Sequence, residues 1–279
     1  MKRVMSIQDI SCVGKCSLTV ALPIISAAGI ETSIVPTAVL STHTMFSGFT
    51  FRDLTNDMEG IRDHWLKEGF KFDAIYTGYL GSERQINLVA SYFDSFKGEN
   101  THVIVDPAMA DGGKLYFGFD EHFAREMGRL CGKADIILPN ISEAALMLGE
   151  EYPGEEAGEE TIKDLLLKLT SLGSKVVVIT GVTHSDGTFG FHGYDTETKE
   201  FFKYGTEKIG MKSHGTGDVF ASAFTGAFVN GFDTFKALTI AADYTAACIK
   251  NSYNDPDHVN YAVNFELELP KYISMLANK

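Results

Sequence analysis

The residues best suited to chemistry in this chain are Ser213-His-Gly-Thr-Gly-Asp218, which run straight into the apolar stretch Val219 to Phe228. That stretch reads as a helix, so the two glycines lie at its start. A helix N-terminus presents unpaired backbone N–H groups and the positive end of the helix dipole, which together attract an anion. Gly215 and Gly217 let the backbone approach such a ligand with no Cβ in the way. A carboxylate beside a phosphate is repulsive, so Asp218 needs a reason to stand there. One reason is chemical: it takes the proton of a hydroxyl that attacks phosphorus. The other is structural: Asp218 caps or neutralises the helix start. The motif alone leaves both open.

Short apolar runs alternate with helical patterns ahead of this loop. Val4–Ile7, Thr32–Val39, Asp73–Thr77, Val103–Asp106, Ile136–Pro139 and Lys175–Thr180 read as strands. Helical stretches run from about Ser17 to Ala28, around Ile61 to Leu66, and from Glu83 to Phe96. The alternation predicts an α/β fold with a central, mostly parallel sheet flanked by helices on both faces. Around residues 189–204 the rhythm changes to a small antiparallel hairpin, and two or three helices close the chain. With no repeat, low-complexity tract or linker, one domain over residues 1–279 is expected. In such sheets ligands lie beyond the carboxyl ends of the strands. The polar clusters fall there: Asp9, Ser41 to Thr44, Thr77 to Ser82, Asp106 to Asp111, Asn140 to Glu143, and Thr180-Gly181. Each has a plain structural reading too. Asn140 to Glu143 could be a helix cap with an acidic first turn, and His43 a satisfied loop histidine.

A net charge of −13 excludes a sequence-independent nucleic-acid binder, which needs a basic face. An anionic substrate must then be held by backbone N–H groups, a metal ion or one or two lysines. No apolar run reaches membrane-spanning length, and Met1-Lys-Arg-Val-Met-Ser-Ile reads straight into a strand, so a cytoplasmic protein is expected. The four cysteines lack a CxxC pair or a matching histidine, which favours free thiols. Asp9-Ile-Ser-Cys-Val-Gly-Lys-Cys-Ser17 looks like a P-loop but lacks its first glycine and its closing Ser or Thr. A carboxylate lines the cradle and the Mg²⁺ hydroxyl is missing, so that reading is set aside.

The set Ser-Thr-His-Thr (41–44), Thr-Gly-Tyr-Leu-Gly-Ser (77–82), Asp-Pro-x-Met-x-Asp (106–111), Pro-Asn-x-x-Glu (139–143) and Gly-Thr-Gly-Asp (215–218) resembles the pyridoxal kinases of the ribokinase-like superfamily. The resemblance runs in order from about Ser6 to the helix after Asp218. It implies a ribokinase-like fold and ATP-dependent phosphorylation of the hydroxymethyl group of a vitamin B6 vitamer. By that resemblance Asp218 would be the general base, and Gly215, Thr216 and Gly217 the anion hole for the transferring phosphoryl group. Asp106, Asn140 and Glu143 would organise Mg²⁺, partly through water, with a monovalent cation such as K⁺ nearby. Asp111 would sit on a flap facing the phosphates, with Thr180 and Gly181 near the ATP phosphates. His43, Thr44 and Tyr79 would line the vitamer pocket, and a homodimer is expected from the family alone.

Two positions depart from that pattern. Asp9 stands where many pyridoxal kinases have a serine that touches the pyridine ligand, and Val13 where an aromatic residue is common. A carboxylate in the ring pocket could pair with an ammonium group and favour pyridoxamine over pyridoxal; equally, Asp9 could cap its own loop. The nearest enzymatic rival is hydroxymethylpyrimidine kinase, whose anion loop usually ends in Cys where this chain has Asp218. A non-catalytic protein that binds a vitamer or nucleotide is the rival from another class, and it has no need of Asp218.

Overall fold

The computed structural model describes residues 1–210 and 213–277. The described residues group into two compact units, one built from Met1–Tyr76 with the described residues from Ile209 onward, the other from Thr77–Lys208.

The chain opens in the first unit with β1 (Arg3–Ser11), α1 (Leu18–Ala27), β2 (Glu31–Leu40), β3 (Phe51–Asp53), α2 (Thr55–Glu68) and β4 (Ala74–Thr77). It continues in the second with α3 (Glu83–Phe96), β5 (His102–Val105), β6 (Ala110–Asp111), β7 (Lys114–Leu115) and α4 (Glu121–Cys131). There follow β8 (Ile136–Ile137), α5 (Ile141–Leu148), α6 (Glu159–Thr170), β9 (Val176–Thr183), β10 (Phe189–Asp195) and β11 (Glu200–Thr206). The chain then returns to the first unit as α7 (Thr216–Val229), α8 (Thr234–Asn254) and α9 (Phe265–Ala277).

In the first unit the strands lie in the order β4-β1-β2-β3. The β1 and β2 strands are parallel, and β3 adds to β2 antiparallel. Consecutive residues Val4 to Asp9 of β1 are all buried, which requires cover on both faces of the strand. The second unit runs β11-β10-β9-β8-β5. There β5, β8 and β9 are mutually parallel neighbours, and β10 and β11 continue antiparallel as the expected hairpin, Phe189–Asp195 against Glu200–Thr206. The predicted α/β class, with a mostly parallel sheet, is what the chain forms.

Local chemistry explains most boundaries. Ser82 accepts from the Gln85 N–H and starts α3 at Glu83, and Asp120 and Asp233 do the same for α4 and α8. Two features depart from expectation. The polar stretch after β2 is not all loop, because Phe51–Asp53 pairs with Ala38–Leu40. Residues 106–113 hold the two-residue strands β6 and β7, whose turn uses Gly112 and Gly113 at φ 55° and 77°.

Candidate active site

In the first unit, Gly215 is the N-cap of α7 at φ 78°, a left-handed conformation that favours glycine. A Cβ there would also overlap the Lys15 carbonyl oxygen. Thr216 and Gly217 form the first positions of the helix, and no side chain caps it. The N–H groups of this turn therefore stay available to an anion. Asp218 is not the cap. The Ser17 backbone N–H, at the start of α1, is near enough to favour the charged form of the Asp218 carboxylate. Loss of hydration pushes the Asp218 carboxyl up to about 7; the Ser17 N–H opposes that rise and the negative charge of Asp9 adds to it. A carboxylate that titrates near neutrality suits a general base.

Asp9 is buried at the end of β1. Its Oδ2 accepts from Ser11 Oγ at 2.9 Å, and the Ser17 hydroxyl is near enough to favour the charged form of the same carboxylate. Burial raises its pKa, against the two hydroxyls.

His43 lies buried after β2. Its Nδ1 accepts from the Met45 N–H at 3.2 Å, which leaves Nε2 to carry the proton and donate to the Tyr261 carbonyl at 3.2 Å. Burial lowers its pKa, so the ring is neutral. Its ring stacks on His214 with centroids 5.8 Å apart and meets Phe46 and Tyr261 at 5.1 and 6.1 Å. Gly14, at φ 132°, lies against the same ring, and a Cβ there would overlap it. The neighbouring Thr44 is exposed in a turn. These contacts gather several aromatic rings around His43. The P-loop look-alike is settled by its lysine: Lys15 Nζ pairs with Glu266 at 2.9 Å and lies over the Phe265 ring.

The second unit holds the other candidates. Asp106 follows β5, buried, with its N–H bonded to the Thr77 carbonyl at 2.9 Å. Asn140 and Glu143 form a full capping box on α5. Glu143 Oε2 accepts from the Asn140 N–H at 2.8 Å and Oε1 from the Met109 N–H at 3.1 Å. Asn140 Nδ2 donates to the Ala110 carbonyl at 2.8 Å. Burial drives the Glu143 carboxyl up to about 8, with hydrogen bonds from Asn140, Met109 and Ala110 opposing and Asp111 adding to the rise. Thr180 joins the group through its N–H to the Pro139 carbonyl at 2.8 Å, and Gly181 follows at φ 72°. Asp111 is exposed beside the β6–β7 turn, which Ser142 holds by accepting the Gly113 N–H at 2.8 Å. Tyr79 packs its ring on Phe119 at 5.6 Å. It thus belongs to the second unit, while His43 and Thr44 belong to the first.

Among the described residues no group of three or more His, Cys, Asp or Glu side chains is arranged to hold a metal ion. Both Glu143 oxygens and the Asn140 amide are spent on protein partners. An ion beside these residues would meet them through water rather than in a closed cage.

Sequence reasoning missed Ser17, Ser142, Phe46 and Tyr261. Tyr261 acts through its backbone carbonyl 218 positions from His43, for which no local signal exists. Ser17 was detectable only as a helix start; its link to Asp9 and Asp218 is tertiary.

The family model described as phosphomethylpyrimidine kinase matches residues 26–264. A Bacteroides thetaiotaomicron protein, described provisionally as a phosphomethylpyrimidine kinase and crystallised in one form with pyridoxal, is 34% identical. It superposes with a TM-score of 0.91 over 99% of this chain and 96% of that one. The pyridoxal kinase of Lactobacillus plantarum is 28% identical with a TM-score of 0.89, covering 99% and 98% of the two chains. The hydroxymethylpyrimidine/phosphomethylpyrimidine kinase of Aquifex aeolicus is 29% identical over 188 residues, 66% of this chain and 70% of the relative.

Proposed function

The chain belongs to the phosphomethylpyrimidine kinase family, and on that premise we propose that it phosphorylates the 5′-hydroxymethyl group of a vitamin B6 vitamer with ATP. The hydroxyl oxygen attacks the γ-phosphorus, its proton passes to Asp218, and the bond from phosphorus to the ADP oxygen breaks. The N–H groups at Gly215, Thr216 and Gly217 receive the transferring phosphoryl group at the helix start, where catalysis is mostly positioning and charge stabilisation. His43 and Thr44 hold the vitamer ring, with Tyr79 assigned to the same ligand. Asp111, Thr180 and Gly181 are assigned to ATP. Mg²⁺, with a monovalent cation such as K⁺, would neutralise the nucleotide phosphates when bound. Asp106, Asn140 and Glu143 would orient water around it. A single kinase domain over residues 1–279, a homodimer and a cytoplasmic location go with this reading.

The observation that carries it is Asp218. A desolvated carboxylate three positions into an anion-binding helix start, titrating near 7 and free of capping duty, is a base in search of a hydroxyl. The same residue argues against the hydroxymethylpyrimidine reading, in which a Cys is usual there. The likeness to the Bacteroides and Lactobacillus proteins over nearly the whole chain supports the vitamer further. The test is ATP consumption with pyridoxal, pyridoxine, pyridoxamine and hydroxymethylpyrimidine in parallel, Mg²⁺ and K⁺ present. Turnover on the B6 compounds is expected, and Asp218→Asn should lower kcat by roughly 10²–10⁴ with little change in ATP affinity. Turnover on the pyrimidine alone would move the chain to thiamin synthesis. Vitamer binding in calorimetry without turnover would make it a binding protein.

A further inference from the structure

Ser213 stands two positions before Gly215, the N-cap of α7, yet its side chain gives that helix no cap. Its hydroxyl donates instead to the Ala262 carbonyl at 2.8 Å. One residue earlier, the Tyr261 carbonyl takes the Nε2 proton of His43 at 3.2 Å. Two consecutive carbonyls in the connection between α8 and α9 thus hold side chains from two separate loops. One loop leads into the glycines at the start of α7, and the other follows β2. The stack of His214 on His43, with centroids 5.8 Å apart, joins the same two loops directly. The connection is itself well fixed: Ala262, Val263 and Phe265 are buried. The Asn264 N–H donates to Ser252 Oγ at 2.7 Å, and Tyr244 Oη donates to the Phe265 carbonyl at 2.9 Å. Both Ser252 and Tyr244 lie on α8, which anchors the connection from behind.

We propose that Ser213 is a positioning residue for the phosphoryl-binding turn: its hydroxyl ties the chain ahead of Gly215 to the fixed segment at Tyr261 and Ala262, which also seats His43. This rests on the reading of residues 215–217 as the site of the transferring phosphoryl group, and adds what holds that site in place. A turn with glycines at 215 and 217 has wide conformational freedom, so its own residue types do not aim its N–H groups in one direction. On the helix side the turn is closed by the Val219 N–H, which donates to the Gly215 carbonyl at 3.0 Å. On the other side the Ser213 hydroxyl supplies the tie. Phosphoryl transfer depends on positioning, and a misplacement of about 1 Å costs about 10²-fold in rate. The segment that receives Ser213 is anchored by α8 independently of Ser213, so loss of the tie frees the turn and leaves the His43 side in place.

The experiment compares the full chain as wild type, Ser213→Ala, Ser213→Thr and Ser213→Cys, by steady-state kinetics with ATP and pyridoxal and by amide hydrogen exchange. Ser213→Ala should lower kcat by roughly 10–10²-fold, with KM for pyridoxal little changed. Ser213→Thr keeps the hydroxyl and should recover most of kcat; Ser213→Cys, whose thiol is a weak donor, should fall between. If Ser213→Ala does not fold, the order of Ser213→Thr above Ser213→Cys decides the matter. In Ser213→Ala the Val219 amide should exchange faster, while the Met45 amide, which donates to His43 Nδ1, should keep its wild-type rate. A Ser213→Ala enzyme with wild-type kcat would overturn the proposal, as would a Ser213→Thr enzyme no better than Ser213→Ala. Exchange quickened alike at Val219 and Met45 would also overturn it, since Ser213 would then only support the unit as a whole. Wild type silent on every substrate would sink the kinase reading, while exchange at Val219 against Met45 would still decide whether Ser213 holds the turn.

Discussion

Replacing Asp218 by Asn should make the protein more stable, by an amount that grows from about pH 4 and is full above about pH 7. In the fold the carboxyl is displaced from 3.8 to about 7, mainly because it has lost its water. A raised carboxyl holds its proton in the folded chain across that interval, while the unfolded chain gives it up. Stability therefore falls as pH rises from about 4 through about 7, and the full cost is present above 7. At about 1.4 kcal/mol per pH unit the displacement corresponds to about 4 kcal/mol. The carboxyl is part-exposed, and relaxation with water entry reduces such figures, so a gain of roughly 1–2 kcal/mol is the working expectation. Asn keeps the shape and can still accept the Ser17 N–H through its amide oxygen, so the substitution removes charge and little else. The assay is urea unfolding of wild type and Asp218→Asn at pH 5 and pH 8. The variant should gain at pH 8 and gain much less at pH 5. Other buried acids, Glu143 among them, titrate in both proteins and cancel in the difference. A variant no more stable than wild type at pH 8, or equally stabilised at both pH values, would refute the claim that burial of this charge carries a cost.

Two further substitutions probe the two units separately. Gly215→Ala meets both a left-handed backbone and the Lys15 carbonyl, so it should lose at least about 1–2 kcal/mol in urea unfolding together with most ATP turnover. Unchanged turnover would show that the loop does not hold the phosphoryl group. Glu143→Ala leaves the Met109 and Asn140 N–H groups without their acceptor, at about 1–3 kcal/mol for each orphaned donor, whereas Glu143→Gln keeps one acceptor oxygen and should lose less. Equal losses for the two substitutions, measured by thermal unfolding, would contradict the capping-box account.

The parts of the fold legible in the sequence are those whose cause is local. The helix at Glu83–Phe96 shows its cap and its period within a few residues, and the 189–206 hairpin shows its change of rhythm. Asn140-x-x-Glu143 reads correctly as a cap because both hydrogen bonds close within one turn. What could not be read has distant or conformational causes. The His43 tautomer is set by a carbonyl in a segment far along the chain. The positive φ of Ser17 contradicts the preference of its residue type, and nothing local in the sequence announces it. The bulge opposite Asp9 is the exception, since it follows Pro36 in β2, a residue type that marks a strand edge, end or bulge. The strands β6 and β7 are two residues each, too short for periodicity to reveal.

The acidic residues in the candidate site differ in how their charge is used, and that difference decides what each can do. Glu143 commits both oxygens to backbone N–H groups, so it shapes the β5–β6 connection and cannot also supply an open ligand position without breaking those bonds. Asp9 accepts the Ser11 hydroxyl, and burial holds its carboxyl above the usual range, so its charge is disfavoured rather than displayed. Asp218 has lost hydration without taking a capping bond to its own helix, which leaves it suited to the proton transfer proposed. In a chain with net charge −13, an anion bound in the first unit would be held by backbone dipoles. Gly215 supplies them by leaving the start of α7 uncapped. A side chain that capped α7 would satisfy the helix and forfeit the site, so the missing cap is the structural condition for the chemistry proposed.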